Sequence, residues 1–124
     1  MRHGSGLRKF TMTSAHRQAM FRSMVTSLIL HGRIETTVER AKDLRRVVER
    51  IITDAKDDNL ASRRRAYGYL MNKDTVRKLF TDVAPKYKSR PGGYSRIVRT
   101  RTRAGDAADL AVIELVDGAS SAAA

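Results

Sequence analysis

The chain has 124 residues, enough for one domain with its own core and too few for a second catalytic one. It carries 25 Lys and Arg against 13 Asp and Glu, a formal net charge of +12 with an isoelectric point near 10.9. The absence of Cys excludes disulfides, thiolate nucleophiles and Cys-ligated zinc, and no apolar run reaches the ~18 residues of a transmembrane helix. The mainly apolar stretch Met24–Leu30 is short and interrupted by Thr26 and Ser27, so a secretory signal is not expected. The expectation is a soluble cationic protein whose partner is a polyanion.

Taken in chain order, residues 1–12 hold two Gly and three Lys or Arg with no periodicity, and read as an extended basic arm that orders only against a polyanion. Thr13 or Ser14 caps a first helix to about Leu30, with Met20, Phe21, Met24, Val25 and Leu28 on one face and Gly32 as its stop. The β-branched run Arg33–Thr37 predicts a strand. Thr36 and Glu39 match a capping box ahead of a long helix over Val38–Lys56. Its apolar positions Ala41, Leu44, Val48, Ile51, Ile52 and Ala55 keep a helical period, leaving Arg45, Arg46, Glu49 and Arg50 to solvent.

Asp57-Asp58-Asn59 breaks that helix and caps a third over Leu60–Met71, which turns Ala66, Tyr67 and Leu70 inward. A fourth covers Asp74–Val83 and is ended by Pro85. Lys86–Gly93 is a basic loop, followed by strands at Tyr94–Thr102 and Leu110–Val116 around a turn through Gly105-Asp106. Residues 118–124, GASSAAA, read as a flexible tail. The predicted fold is α+β in two layers, helix–strand–three helices–two strands. It forms a single globular domain over 13–117, with the helices on one face of a small three-stranded mixed sheet.

The charge is unevenly placed. Residues 1–34 and 85–105 carry thirteen Lys and Arg together and no acid, whereas 35–59 mix both signs as a solvated helix does. Acid-free segments suit a phosphate-facing surface; the plainer reading is charge kept for solubility. Arg99, Arg101 and Arg103 recur at period two, so an extended strand presents them on one face, with Arg96 on the other. Such a row repels itself unless anions neutralise it, and guanidinium forks match phosphate oxygens. The alternative is an edge strand protected from aggregation by charge. Lys86, Lys88 and Arg90 precede it with no intervening acid, and Arg22 on the outer side of the first helix joins the candidate set. The glycines of Arg90-Pro91-Gly92-Gly93-Tyr94 allow backbone to approach phosphate, and Tyr94 either stacks on a base or fills the core. Arg63-Arg64-Arg65 spans most of a helical turn and reads equally as solvated helix or RNA contact.

No enzyme is expected. His3, His16 and His31 have no metal-ligand spacing, no nucleotide-binding loop or nucleophile elbow exists, and the carboxylates look like surface pairs. No metal, cofactor, small-molecule substrate or membrane partner is therefore expected. Helix-turn-helix, zinc-finger, zipper and aromatic RNA-recognition signatures are absent too, so irregular folded RNA, read by shape and phosphate geometry, fits best. A nucleoid-type or regulatory DNA-binding protein is the alternative.

Several blocks together resemble the bacterial large-subunit ribosomal protein seventeen family. They are Met1-Arg2-His3, Ser14-Ala15-His16-Arg17-Gln18-Ala19-Met20-Phe21-Arg22, Ile34-Glu35-Thr36-Thr37, Ala41-Lys42-Asp43-Leu44-Arg45-Arg46-Val47-Val48-Glu49, Arg90-Pro91-Gly92-Gly93-Tyr94-Ser95-Arg96-Ile97, Arg103-Ala104-Gly105-Asp106 and Ile113-Glu114-Leu115-Val116. They run in the family's order across roughly residues 1–117. The resemblance implies a non-catalytic structural constituent of the large ribosomal subunit, cytoplasmic and on the ribosome. It further implies binding to large-subunit (23S-type) rRNA beside neighbouring ribosomal proteins, near the outer side of the polypeptide exit tunnel. It assigns rRNA contact to Arg2, His3, Arg8, Lys9, His16, Arg17, Arg90, Gly92, Gly93, Tyr94 and Arg96. One departure is Phe10-Thr11-Met12, where the family usually carries Leu-Asn-Arg, so a basic contact is missing and the arm's path is expected to differ.

Overall fold

The computed structural model describes residue 10 and residues 12–116; the tail over 118–124 and most of the arm over 1–12 lie outside them. Helix α1 spans Ser14–His31. The Thr13 hydroxyl accepts the His16 N–H at 3.2 Å, satisfying a donor the first turn cannot. Gly32 ends the helix at φ 82, a conformation that an L side chain resists, and its N–H closes on Leu28 O. Strand β1 follows at once over Arg33–Thr37.

Helix α2 spans Val38–Ala55, with Thr37 as its cap. The expected Thr36–Glu39 box is displaced by one residue. β1 stays paired through Thr37, opposite Leu110, so Thr37 is the first residue able to turn its hydroxyl onto a helical N–H, that of Arg40. Ala41, Leu44, Val48, Ile52 and Ala55 are buried along one stripe of α2. Each fully buried Leu or Ile on it is worth about 1.5–3 kcal/mol.

Helix α3 (Leu60–Leu70) begins with a reciprocal Asn59–Ser62 capping box. Ser62, Ala66 and Leu70 set its inward phase at four-residue spacing. Tyr67, expected inward, is therefore rotated out and 45% exposed. Helix α4 (Lys73–Lys78) starts under the Asn72 side chain, widens into a π turn over Leu79–Val83 and tightens into a 3₁₀ turn over Ala84–Tyr87. Pro85 does not end the segment as expected. It sits in the first positions of the 3₁₀ turn, where no donor N–H is needed. The run continues so that Val83, Ala84 and Tyr87 reach the core.

Strands β2 (Ser95–Thr102) and β3 (Asp109–Leu115) complete a three-stranded sheet of order β1-β3-β2. Both pairings are antiparallel, where a mixed sheet was expected. A mixed sheet needs β1 to run parallel to the strand it docks on. Docking antiparallel on β3 sets Ile34 and Ile97 on either side of Ile113, facing the helices. The helices cover that face, and the core runs from Phe21 and Leu28 through Leu44 and Ile52 to Tyr94 and Ile113.

Candidate nucleic-acid interface

The basic loop is held by one face of α2. Glu49, Thr53 and Lys56 fall at i, i+4 and i+7 and so stack along the helix. The Glu49 carboxylate accepts the N–H of Gly93 and of Ser95, both at 3.3 Å, and the Ser95 hydroxyl at 3.0 Å. The Lys56 ammonium donates to Arg90 O at 2.6 Å and to the Tyr94 hydroxyl at 2.9 Å, with Thr53 on the same hydroxyl. Burial pushes the Tyr94 phenol up, but hydrogen bonds to Lys56 and Thr53 and the ammonium's charge bring it below its ordinary value. With both ends tied, Lys88, Arg90 and Pro91 stay exposed.

Tyr94 itself has no exposed surface, and its ring lies 5.2 Å from that of Tyr87. Of its two expected roles, the structure gives it core filling, and a base cannot reach the ring. Gly93 takes φ +66 in the turn before it. Gly92 has no positive φ, and a side chain there would meet nothing within 4 Å.

Two predicted contact residues come together at the near end of β2. Lys86 and Arg96 line a cleft of about 360 Å³ with His31, Arg33 and Lys78. Glu114 and Asp82 are its two carboxylates, and Glu114 receives the Arg96 guanidinium. Lys78 also donates to Leu30 O at the end of α1, at 2.8 Å. Five basic groups, one each from α1, β1, α4, the 3₁₀ turn and β2, thus converge on two acids. His31, Arg33 and Lys78 escaped the sequence reading because the cleft is made by tertiary contact, which no local spacing records. Glu49 escaped it because, beside Arg45, Arg46 and Arg50, it looked like one more solvated charge.

The expected row Arg99, Arg101, Arg103 is not a row. β2 carries one extra residue between Arg99, opposite Ala111, and Thr102, opposite Asp109. This bulge breaks the alternation. Arg99 keeps the parity of Ile97, on the helix side of the sheet. Thr100 and Arg101 both bond Glu35 on the other side, at 2.8 and 3.3 Å. Those two bonds, Thr100 first, hold the Glu35 carboxyl below its ordinary range. Arg103 lies in the turn, forked onto Asp106 at 3.0 and 2.6 Å. That fork, helped by the Ala108 N–H, lowers Asp106 to about 2.

The remaining predicted residues are dispersed. His16 and Arg17 stand at the start of α1, Arg17 bonded to Ser14 at 3.5 Å. Arg22 faces α3, its guanidinium 5.3 Å from the Tyr69 ring centre. Arg2, His3, Arg8 and Lys9 lie outside the described residues. Phe10, at the point where the chain departs from the family pattern, is described: it packs edge-on to Phe21 at 6.2 Å and under Arg40 at 5.9 Å. It shares a cleft with Arg103, so the chain enters the domain beside the hairpin turn.

Among the described residues no helix is long and apolar enough to cross a membrane, and no cluster of His, Asp or Glu is arranged to hold a metal ion. The family model described as Ribosomal protein L17 matches residues 20–116. The large ribosomal subunit protein bL17 of Halothermothrix orenii is 53% identical over 110 residues, 89% of this chain and 96% of that protein.

Proposed function

The chain belongs to the ribosomal protein L17 family, and from that premise we propose that it binds large-subunit rRNA through the cleft between His31 and Lys86 and the loop that follows it. As a protein of the large ribosomal subunit it comes from a structural family, not an enzyme family. The observation that carries the proposal is the convergence of His31, Arg33, Lys78, Lys86 and Arg96 on two carboxylates. The four Lys and Arg gathered this way outnumber the two carboxylates, and a polyanion that enters releases its counterions. Gly92 supports the same reading. Its missing side chain answers no need of the fold, and bare backbone admits a phosphate closely.

Arg101 and, in the turn beyond β2, Arg103 extend the surface from Arg96, roughly 20 Å at strand rise, and Arg99 adds a cation on the helix side of the sheet. Arg101 and Arg103 exchange Glu35 and Asp106 for phosphate on binding. His16, Arg17, Arg90 and the arm residues Arg2, His3, Arg8 and Lys9 belong to the same surface on the family pattern. The seat near the outer side of the exit tunnel, among neighbouring ribosomal proteins, is carried by that pattern alone.

The test is equilibrium binding to protein-free large-subunit rRNA over a salt series. The Lys86→Ala/Arg96→Ala double variant is expected to bind more weakly, with a salt slope shallower by roughly 0.7–0.9 for each phosphate left without its cation. Unchanged affinity and slope would remove the cleft from the interface.

A further inference from the structure

We propose that the outer face of α3 is a second RNA-contact surface, on which Tyr67 stacks against an unpaired base, Arg64 holds a phosphate and Gly68 admits the nucleotide close to the helix. The inference rests on the rRNA-binding reading above and adds a surface on α3, an element that does not line the cleft.

Leu60, Arg64 and Tyr67 fall at i, i+4 and i+7 and form one stripe, with Met71, the helix's left-handed cap at φ 59, just beyond its end. Their apolar members are exposed, Leu60 by 64%, Tyr67 by 45% and Met71 by 68%. In the middle of the stripe lies the central residue of three consecutive arginines. The fold neutralises the outer two. Arg63 forks onto Asp58 at 2.6 and 2.9 Å, and Arg65 onto Asp54 at 3.0 and 2.8 Å. Arg64 has no partner among the described residues.

Gly68 borders the stripe one helical turn on from Arg64. A glycine inside a helix is destabilising relative to alanine. Its backbone has no positive φ, and a side chain there would meet nothing within 4 Å, so the chain's own packing does not require it. What an absent side chain permits is approach from outside. Arg22 adds a second cation at the far end, donating to the Met71 sulfur at 3.5 Å. A protein partner on Leu60, Tyr67 and Met71 has to bury Arg64 and supply a carboxylate for it. A nucleotide brings the flat apolar face and the anion in one group, and base stacking on a tyrosine tolerates any base. The net charge of +12 favours that occupant.

The experiment compares the wild-type chain with Gly68→Gln, with Arg64→Ala/Tyr67→Ala and with Lys86→Ala/Arg96→Ala, by binding to protein-free large-subunit rRNA and by thermal melting. Gly68→Gln is expected to melt higher, since Gln forms helix better and has open space, yet to bind rRNA several-fold more weakly. The Arg64→Ala/Tyr67→Ala variant is expected to lose roughly tenfold in affinity with its melting temperature held. If both α3 variants bind as wild type while the cleft variant is weakened, this inference falls and the rRNA reading stands. If the α3 variants bind naked rRNA normally but fail to join the protein-containing subunit, the face belongs to a protein neighbour and the inference again falls. If the wild type itself shows no preference for rRNA, both fall.

Discussion

The molecule contains two sets of three arginines, consecutive on α3 and alternate near the end of β2, and the fold treats them alike. On the helix, Arg63 and Arg65 are claimed by Asp58 and Asp54, and Arg64 is left over. On the hairpin, Arg101 and Arg103 are claimed by Glu35 and Asp106, and Arg99 has no partner among the described residues. The acids responsible come from α2, β1, the turn after β2 and the link before α3. Availability to a phosphate is thus set less by where an arginine lies in sequence than by where the fold brings a carboxylate. An arginine already paired gives up one anion to gain another, whereas an unpaired one gives up only water.

Arg99 separates the paired from the unpaired arginines most sharply. Arg99→Ala is expected to cost several-fold in rRNA affinity and to flatten the salt slope by roughly 0.7–0.9, more than Arg101→Ala does. Equal losses at the two positions would show that pairing does not discriminate between them. A smaller effect of opposite sign is expected from Glu35→Gln. It strips Arg101 of its carboxylate, so binding strengthens about two- to threefold and the salt slope steepens, measured by the same titration.

The smallest effect is a pH dependence at Arg103. Asp106 has an ordinary value of 3.8 and is lowered to about 2 in the folded chain. A depressed carboxylate contributes stability that is fully present above its unfolded value and is lost as pH falls through its folded value. The Arg103–Asp106 fork is therefore intact above about pH 4 and opens near pH 2. The Asp106 carboxyl carbon shift, followed by NMR between pH 5 and pH 1.5, is expected to titrate near the lower value. A midpoint near 3.8 would mean that the fork does not hold in solution.

The elements are legible in the sequence where the signal is local. Thr13 and Gly32 bound α1, the apolar period of α2 marks its buried stripe, and Gly105-Asp106 marks the hairpin turn. The departures share a physical origin. Tyr67 and the Thr36–Glu39 box depart from expectation because neighbours fix the phase of a helix and the end of a strand. Ser62 and Leu70 decide the first, Leu110 the second. The arginine row departs because one extra residue in a strand inverts every side chain beyond it, and no residue type announces a bulge. Within the candidate site, the acid-free loop and strand identify Lys86, Arg90 and Arg96. Arg33 and Lys78 join them only once β1 and α4 have packed against the end of α1.

The central position of β3 has a bearing on how the chain matures. The strand that both others need is the last element among the described residues: Arg33 pairs with Glu114, and Arg96 pairs with the same residue. As the chain emerges N-terminus first, β1 and then β2 wait with open edges for a partner not yet synthesised. Until residues 109–115 arrive, the cleft that takes Arg33 from one strand and Arg96 from another does not exist. A chain that stops short of β3 presents no such cleft, and β1 and β2 are left as two unjoined strands.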